Sequence, residues 1–299
     1  MNGRTLTGCG TALVTPFTRD GKIDEPALRR FVEWQVAEGI HFVVPCGSTG
    51  EAATMTPAEH RRVVEITVEA VAGRVPVVAG AGSNDTARAI ATSKEMKAAG
   101  ATHLLHVSPM YNKPPQRGIA AHFRTICDAV DLPIIIYNVP GRTGSNVEAR
   151  TTLELAKCAE IVGVKEASGN IGQIADIIRD RPTGFAVLSG DDALTLPVMA
   201  LGGEGVISVT SNVTPRLMAQ LCDACAANDF ATARTLHRKL QPWMAAAFAE
   251  PNPIPAKAAL AMMGKIQNVL RLPLVPLGEG SYSALRAALV VAGIETADD

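Results

Sequence analysis

Short apolar runs alternate along this chain with longer segments in which apolar residues recur every three to four positions. The runs are rich in Val, Ile and Leu, and they predict buried β-strands. They cover residues 11–17, 42–46, 75–79, 103–107, 133–137, 161–165, 186–189 and 205–209. The longer segments predict amphipathic helices. They cover residues 25–38, 56–71, 85–99, 118–130, 148–159, 171–179, 192–201 and 215–227.

Eight strand–helix pairs ending near residue 227 predict an α/β fold, a closed (β/α)8 or TIM barrel. An open, doubly wound sheet is the alternative fold. It has weaker support because its nucleotide-binding signatures are incomplete. Residues 80–82 lack the third glycine of GxGxxG, and residues 47–51 lack the lysine of a phosphate-binding loop.

The rest of the chain predicts three further helices between residues 229 and 292, interrupted at residues 251–255, Pro273 and Pro276. This region is too short and too continuous to suggest an independent domain. We therefore assign residues 1–228 to a catalytic barrel and residues 229–299 to a C-terminal helical region.

Composition narrows the class of protein. Of 299 residues, 47% are hydrophobic and 19% are charged, which is typical of a globular enzyme and excludes a mainly disordered chain. A net charge of −1 provides no basic surface for nucleic acid or anionic membranes. Residues 1–10 lack the apolar core of a secretion signal, and no stretch approaches the roughly 20 apolar residues of a membrane span. We expect a soluble, cytoplasmic protein.

Two groups of residues resemble metal sites only superficially. Cys222 and Cys225 have CxxC spacing but lie in a predicted helix without a second ligand pair. His103 and His106 lie on a predicted strand, where odd spacing sends their rings to opposite faces. We therefore expect no metal.

Lys165 is the strongest candidate for chemistry. It closes the apolar strand 161–165, and burial shifts a lysine toward the neutral amine, which is a carbonyl nucleophile. The preceding strand ends in Tyr137, one of only three tyrosines, and Arg142 follows shortly after. Alone, Lys165 would be interpreted as a surface residue with a buried stem. Together, the amine, the phenol and the guanidinium predict Schiff-base chemistry on an acidic substrate.

Other polar segments fall at the same rim, because loops after the carboxyl ends of barrel strands meet there. They include residues 47–51 after the second strand, Tyr111 after the fourth and residues 190–192 after the seventh. Ser48 and Thr49 could be helix caps, but the next helix begins too far away, at residue 56. Asp191 and Asp192 immediately precede a helix, so we favour capping over catalysis for both.

These motifs together resemble the pyruvate-dependent Schiff-base aldolase family, which includes the N-acetylneuraminate lyases. The resemblance covers nearly the whole chain. It includes residues 11–17, 47–51, 108–114, 137–144, 164–169, 188–192, 205–209 and 250–255.

The resemblance implies a role for each site residue. Lys165 would form an imine with pyruvate, Tyr137 would shuttle protons, and Ser48 and Thr49 would link it to Tyr111 by their hydroxyls. In the family that last tyrosine reaches the site from a neighbouring subunit, so the site needs at least a dimer, and the resemblance implies a homotetramer built as a dimer of dimers. Backbone N–H groups of residues 47–49 would bind the pyruvate carboxylate. Gly190 and Ile207 would line the substrate pocket, and no cofactor is implied.

Arg142 separates the activities within the family. L-Aspartate 4-semialdehyde carries a carboxylate that a guanidinium can grip, whereas sugar-acid aldolases resemble one another in having small or apolar residues there. The resemblance thus implies condensation of pyruvate with L-aspartate 4-semialdehyde to give 4-hydroxy-tetrahydrodipicolinate. This lyase reaction is the first committed step of L-lysine (diaminopimelate) biosynthesis. The alternatives are cleavage of a sugar acid, such as N-acetylneuraminate or a 2-keto-3-deoxy acid, and a non-catalytic barrel.

The resemblance also bears on regulation. Many members are inhibited by L-lysine, which binds at a subunit contact through residues that align with positions 52, 53, 57, 60, 84, 88 and 110. His60 and Asn84 fit that pattern, but Arg88 stands where the family has a glutamate that pairs with the lysine ammonium. We expect weak or absent inhibition.

Overall fold

Eight parallel strands form a closed barrel in the computed structural model, which describes residues 5–296. Strand β1 pairs with both β2 and β8, and a single bridge between Val43 and Val77 closes the ring between β2 and β3. The predicted barrel is confirmed, and the open sheet is wrong. The strands are β1 (Gly8–Ala12), β2 (Phe42–Val44), β3 (Val78–Gly80), β4 (His103–Val107), β5 (Ile134–Asn138), β6 (Ile161–Glu166), β7 (Ala186–Ser189) and β8 (Gly205–Ser208).

Helices connect the strands and surround them. They are α1 (Glu25–Ala37), α2 (Pro57–Val71), α3 (Thr86–Ala98), α4 (Gln116–Ala129), the single turn α5 (Pro140–Thr143), α6 (Ala149–Leu155), α7 (Ile171–Asp180), α8 (Thr195–Ala200) and α9 (Pro215–Ala226). Helix α2 shows how the sequence sets the position where a helix begins. Thr56 accepts from the Glu59 backbone N–H and Glu59 accepts in return from that of Thr56, which satisfies N–H groups that a helix start leaves unpaired.

Three helices follow the barrel, as predicted: α10 (Phe230–Ala246), α11 (Ile254–Met262) and α12 (Glu279–Ala292). Helix α10 packs against α9 and α12, and the buried indole of Trp243 donates to the Thr210 carbonyl oxygen beyond β8. Residues 1–4 and 297–299 of the assigned regions lie outside the described residues. Between residues 5 and 296, no helix is both long and apolar enough to cross a membrane.

Two strands are displaced from their predicted positions, and β2 ends at Val44 instead of residue 46. The first strand was expected at residues 11–17 but lies at Gly8–Ala12, and the third was expected at 75–79 but lies at Val78–Gly80. Leu13 and Val14 are buried outside the sheet, where the N–H of Val14 donates to the Asn212 side chain. A run of apolar residues indicates that a segment is buried, but it does not show that the segment is a strand. Leu13 and Val14 are buried without belonging to a strand.

Side chains alternate between two apolar layers. Ile135 and Tyr137 of β5 point into the barrel, whereas Ile134 and Ile136 pack outward against the helices. Strand β6 pairs with β5 through a β-bulge, because Ile134 pairs with Ile161 and Ile135 already pairs with Gly163. The extra residue reverses the alternation from there on. Lys165 therefore points into the barrel beside Tyr137, although Ile161, which has the same parity, points outward.

Candidate active site

Lys165 and Tyr137 are neighbours at the carboxyl rim of the barrel. They are paired residues of β6 and β5, and the Lys165 Nζ lies 4.2 Å from the centroid of the Tyr137 ring. Lys165 is only 5% exposed. Burial lowers the pKa of Lys165 to about 7; the negative charge of Asp192 opposes that shift, and the positive charge of Arg142 adds to it. Burial raises the pKa of Tyr137, which stays a neutral phenol. Near neutral pH the site therefore holds a substantial fraction of neutral amine beside a proton donor.

Gly190 makes room for the lysine. A Cβ at this position would lie 3.1 Å from the Cγ and Cε atoms of Lys165 and 2.6 Å from the Cβ of Ala167. Both distances are shorter than ordinary carbon contacts. The glycine therefore lets the lysine side chain extend against the strand end.

A cavity of about 190 Å³ opens above the lysine. Most of the sequence-predicted site residues line it: Ser48, Thr49, Tyr137, Arg142, Lys165 and Gly190. Ile207 does not line it; this residue is buried in the barrel interior on β8, and Val209 borders the cavity instead.

Tyr111 lies apart from the cavity of its own chain. Its side chain is 89% exposed, while its backbone N–H donates to the carbonyl oxygen of Thr143, next to Arg142. The structure therefore brings together every predicted catalytic residue except Tyr111.

The turn at residues 47–51 carries Ser48 and Thr49. It is closed by hydrogen bonds from the N–H of Gly50 to the Gly47 carbonyl and from the N–H of Glu51 to the Ser48 carbonyl. Neither hydroxyl caps a helix, since Thr56 caps α2 and the 3₁₀ turn Ala52–Thr54 has no side-chain cap. The capping alternative for this pair is wrong.

The two aspartates after β7 behave differently. Asp191 lines the cavity and caps the following turn, where its Oδ1 accepts from the Ala193 N–H at 3.0 Å, as predicted. For Asp192 the capping prediction is wrong. Its buried Oδ2 accepts from the N–H groups of Val209 and Thr210, at 3.0 and 3.2 Å, beyond the end of β8. Burial raises the pKa of Asp192, and these hydrogen bonds act against that rise.

Glu166, directly after Lys165, organises the loop that carries Arg142. Its carboxylate accepts from the amides of Asn138 and Gln173 and from the Ser168 N–H, all within 3.1 Å. The Asn138 amide also donates to the Asn146 side chain, beyond Arg142. Sequence reasoning missed this network, although Asn138 and Glu166 each follow a recognised site residue.

The C-terminal region contributes two further residues that were missed. Phe248 and Asn252 line the cavity, and the Asn252 Nδ2 donates to the Thr49 Oγ1 at 2.9 Å. Local patterns give no signal for a contact across 203 positions. The proline-rich segment 250–255 was the only indication.

The cysteine and histidine candidates lie elsewhere. Cys222 and Cys225 are buried, unpaired residues of α9, and the buried His106 ring contacts the Ser93 hydroxyl. Among residues 5–296, no group of three His, Cys, Asp or Glu side chains is arranged to hold a metal ion.

Comparisons with known proteins cover nearly the whole chain. A model of the dihydrodipicolinate synthetase family matches residues 5–292. The 4-hydroxy-tetrahydrodipicolinate synthase of Maridesulfovibrio salexigens is 52% identical over 291 residues, covering 97% of this chain and 99% of that protein. The synthase of the same name from Koribacter versatilis is 51% identical over 290 residues, covering 97% of each chain.

Solved structures agree with this result. Dihydrodipicolinate synthase from Aquifex aeolicus superposes with a TM-score of 0.95 at 42% identity, covering 98% of this chain and 100% of that chain. The chloride-inhibited enzyme from Acinetobacter baumannii, complexed with pyruvate, gives a TM-score of 0.96 at 42% identity, covering 97% and 100% of the two chains.

Proposed function

Because this chain belongs to the dihydrodipicolinate synthetase family, we propose that it condenses pyruvate with L-aspartate 4-semialdehyde to give 4-hydroxy-tetrahydrodipicolinate. One observation carries the proposal: a buried lysine with a pKa of about 7 lies against a tyrosine ring, and Arg142 borders the same cavity. Such a lysine can form an imine, and the arginine selects a second substrate with a carboxylate.

The first half of the reaction uses Lys165 and Tyr137. The neutral Nζ attacks the keto carbon of pyruvate, and the Tyr137 hydroxyl donates a proton to the departing water. The resulting iminium withdraws electrons, so a methyl proton is lost and an enamine remains. The backbone N–H groups of residues 47–49 bind the pyruvate carboxylate.

The second half joins the two substrates. Arg142 binds the carboxylate of L-aspartate 4-semialdehyde, and the enamine carbon attacks its aldehyde carbon. The new alkoxide takes a proton from the relay of Tyr137, Thr49, Ser48 and the neighbouring subunit's Tyr111. The substrate's amine then attacks the imine carbon, which closes the ring and displaces Lys165. Imine chemistry supplies the electron sink, so the scheme needs no cofactor.

The exposed Tyr111 side chain supports an oligomer. A largely exposed tyrosine beside the Arg142 loop is well placed to enter the cavity of a second subunit. We propose a homotetramer built as a dimer of dimers, working in the cytoplasm.

A substrate comparison tests the proposed activity. Purified protein should condense pyruvate with L-aspartate 4-semialdehyde and should leave N-acetylneuraminate and 2-keto-3-deoxy sugar acids uncleaved. Cleavage of a sugar acid with a higher kcat/KM than the condensation would favour the alternative aldolase activity.

Replacing Arg142 tests how the second substrate is chosen. Arg142→Ala should lower kcat/KM for L-aspartate 4-semialdehyde by roughly 10- to 100-fold, because a charge-assisted carboxylate contact is lost. Imine formation with pyruvate should change less than about threefold. Arg117→Ala, on the outer helix α4, is the matched control. Equal losses in both half-reactions would instead assign Arg142 a structural role.

A further inference from the structure

The C-terminal region reaches into the active site and contacts one of its hydroxyls. Asn252 lies between α10 and α11, is 6% exposed, and lines the same cavity as Lys165. Its Nδ2 lies 2.9 Å from the Oγ1 of Thr49, which is itself buried. Among residues 5–296, this is the one hydrogen bond recorded for the Thr49 hydroxyl.

The chemistry of this contact restricts where the Thr49 proton can point. An amide nitrogen can only donate, so the Thr49 oxygen accepts from Asn252 and its own hydrogen points elsewhere. Thr49 lines the same cavity as Lys165 and Tyr137, so its hydrogen is free to point toward the groups that react there. Without the amide, the hydroxyl could rotate between donor and acceptor roles.

A buried ion pair holds the two partners at this distance. Glu51, two residues after Thr49, pairs with Lys257 of α11 at 2.5 Å, and both side chains are inaccessible to solvent. The second oxygen of Glu51 accepts from the N–H of Arg271 at 3.0 Å. The turn after β2 and the segment that follows Asn252 are therefore joined by a second, buried contact beside that of Thr49.

We propose that Asn252 is a positioning residue that fixes Thr49 as a proton donor toward the cavity, so that the hydroxyl relay operates in one direction. This inference rests on the proposed function, because it assigns Thr49 to the relay. It gives the C-terminal helical region a part in catalysis, beyond covering the barrel.

Two substitutions distinguish direction from packing. Asn252→Asp nearly keeps the side-chain shape but replaces the amide donor by a carboxylate acceptor. The Thr49 hydroxyl would then donate its hydrogen bond to this carboxylate and not toward the cavity. Asn252→Leu removes both functions and leaves the hydroxyl free to rotate. We expect kcat to fall about 100-fold for Asn252→Asp and about tenfold for Asn252→Leu, with KM for pyruvate within about threefold of wild type. Equal losses, or a greater loss for Leu, would overturn the proposal.

A double-mutant cycle isolates the contact. In a Thr49→Val background, where no hydroxyl remains to be oriented, each Asn252 substitution should change kcat by less than about twofold. If Asn252 only supports the local fold, each Asn252 substitution will lower kcat by the same factor in the wild-type and the Thr49→Val backgrounds. Circular dichroism and melting temperature on all variants separate loss of fold from loss of rate.

The pH profile of Asn252→Asp supplies an independent readout. Protonation of the new carboxyl restores a donor, so its activity relative to wild type should rise about tenfold from pH 8 to pH 5.5. If the new charge acted only through Lys165, it would raise the pKa of that lysine. The activity relative to wild type would then decrease as the pH is lowered from 8 to 5.5. The proposed function is tested separately on wild type, through condensation and pyruvate trapping, so the two failures are distinguishable.

Discussion

Lys165 is a costly residue to bury, and the protein accepts that cost to obtain a reactive amine. A lysine at 5% exposure loses most of its hydration, which disfavours the ammonium form. The Tyr137 ring and the charge of Asp192 compensate only in part, since the pKa remains at about 7. An ordinary lysine would be almost fully protonated in the cell.

The lowered pKa predicts how imine formation depends on pH. The neutral fraction of Lys165 grows as pH rises through about 7, so the rate of cyanoborohydride trapping with pyruvate should rise about tenfold from pH 6 to pH 8 and then level off. A normal lysine would keep gaining about tenfold per pH unit up to pH 10. The check is the trapping rate measured from pH 5.5 to pH 10. A rate still climbing above pH 9 would mean that Lys165 titrates as an exposed amine.

At the scale of elements, two irregular features decide whether the site forms. The β-bulge at the start of β6 turns Lys165 into the barrel, and the contacts of Asn252 and Lys257 join the C-terminal helices to the turn after β2. Neither feature follows from strand–helix alternation. The barrel places the site residues at one rim, and the bulge and the C-terminal contacts orient the side chains of Lys165 and Thr49 there.

The buried pair of Glu51 and Lys257 should couple the C-terminal region to barrel stability. Lys257→Met leaves the Glu51 carboxylate buried without its cation, so the free energy of unfolding should fall by about 3–5 kcal/mol. Urea denaturation measures this loss. Adding Glu51→Gln should recover part of it, because no uncompensated charge then remains. Arg124→Met, which breaks the exposed pair with Glu154, is the matched control and should cost less than about 1 kcal/mol. If the stability losses of Lys257→Met and Glu51→Gln, each measured alone, add up to the loss of the double variant, the two residues are not coupled.

Sequence patterns predicted the features that depend on residues close together in the chain. The eight strands, the helices between them and the convergence of Lys165, Tyr137, Arg142 and the 47–51 turn all follow from alternation and from the rule that strand ends share a rim. Gly163 was the available signal for the bulge, because a glycine inside a strand often marks one. The partners of Asn252 and Asp192 depend on contacts distant in sequence, which local periodicity does not encode.

At the scale of the whole molecule, one chain does not complete the proposed site. Tyr111 lies outside its own cavity and is exposed, with a φ of 72° that few residues other than glycine adopt. A strained backbone carrying an exposed aromatic side chain fits a contact that forms on assembly.

Subunit mixing tests whether Tyr111 works in a neighbouring site. Lys165→Arg and Tyr111→Phe chains should each be weakly active, but a mixed dimer would contain one site with both wild-type residues. After unfolding and refolding together, the mixture should recover roughly a quarter of wild-type activity, by random assortment of chains in pairs. Separately refolded samples are the control. No recovery would place Tyr111 in the site of its own chain.

L-Lysine should inhibit this enzyme weakly. Arg88 is exposed near the start of α3, close to Asn84, whose amide donates to the Met110 carbonyl. A guanidinium repels the effector's ammonium, which should weaken binding by roughly ten- to hundredfold relative to a glutamate at that position. Initial-rate titration should show half-inhibition only at L-lysine concentrations above about 1 mM. Arg88→Glu should lower the concentration that gives half-inhibition. Half-inhibition of wild type by sub-millimolar L-lysine would contradict the expectation.

The most direct test of the central claim is reductive trapping of the pyruvate adduct, followed by peptide mass spectrometry. Because Lys165 is a buried lysine with a pKa near neutrality that lines the cavity, borohydride with pyruvate should add one pyruvate-derived unit per chain, on Lys165. Lys165→Arg, which keeps the positive charge but removes the amine, should show no adduct. An adduct on another lysine, or none on the wild-type protein, would contradict the Schiff-base mechanism.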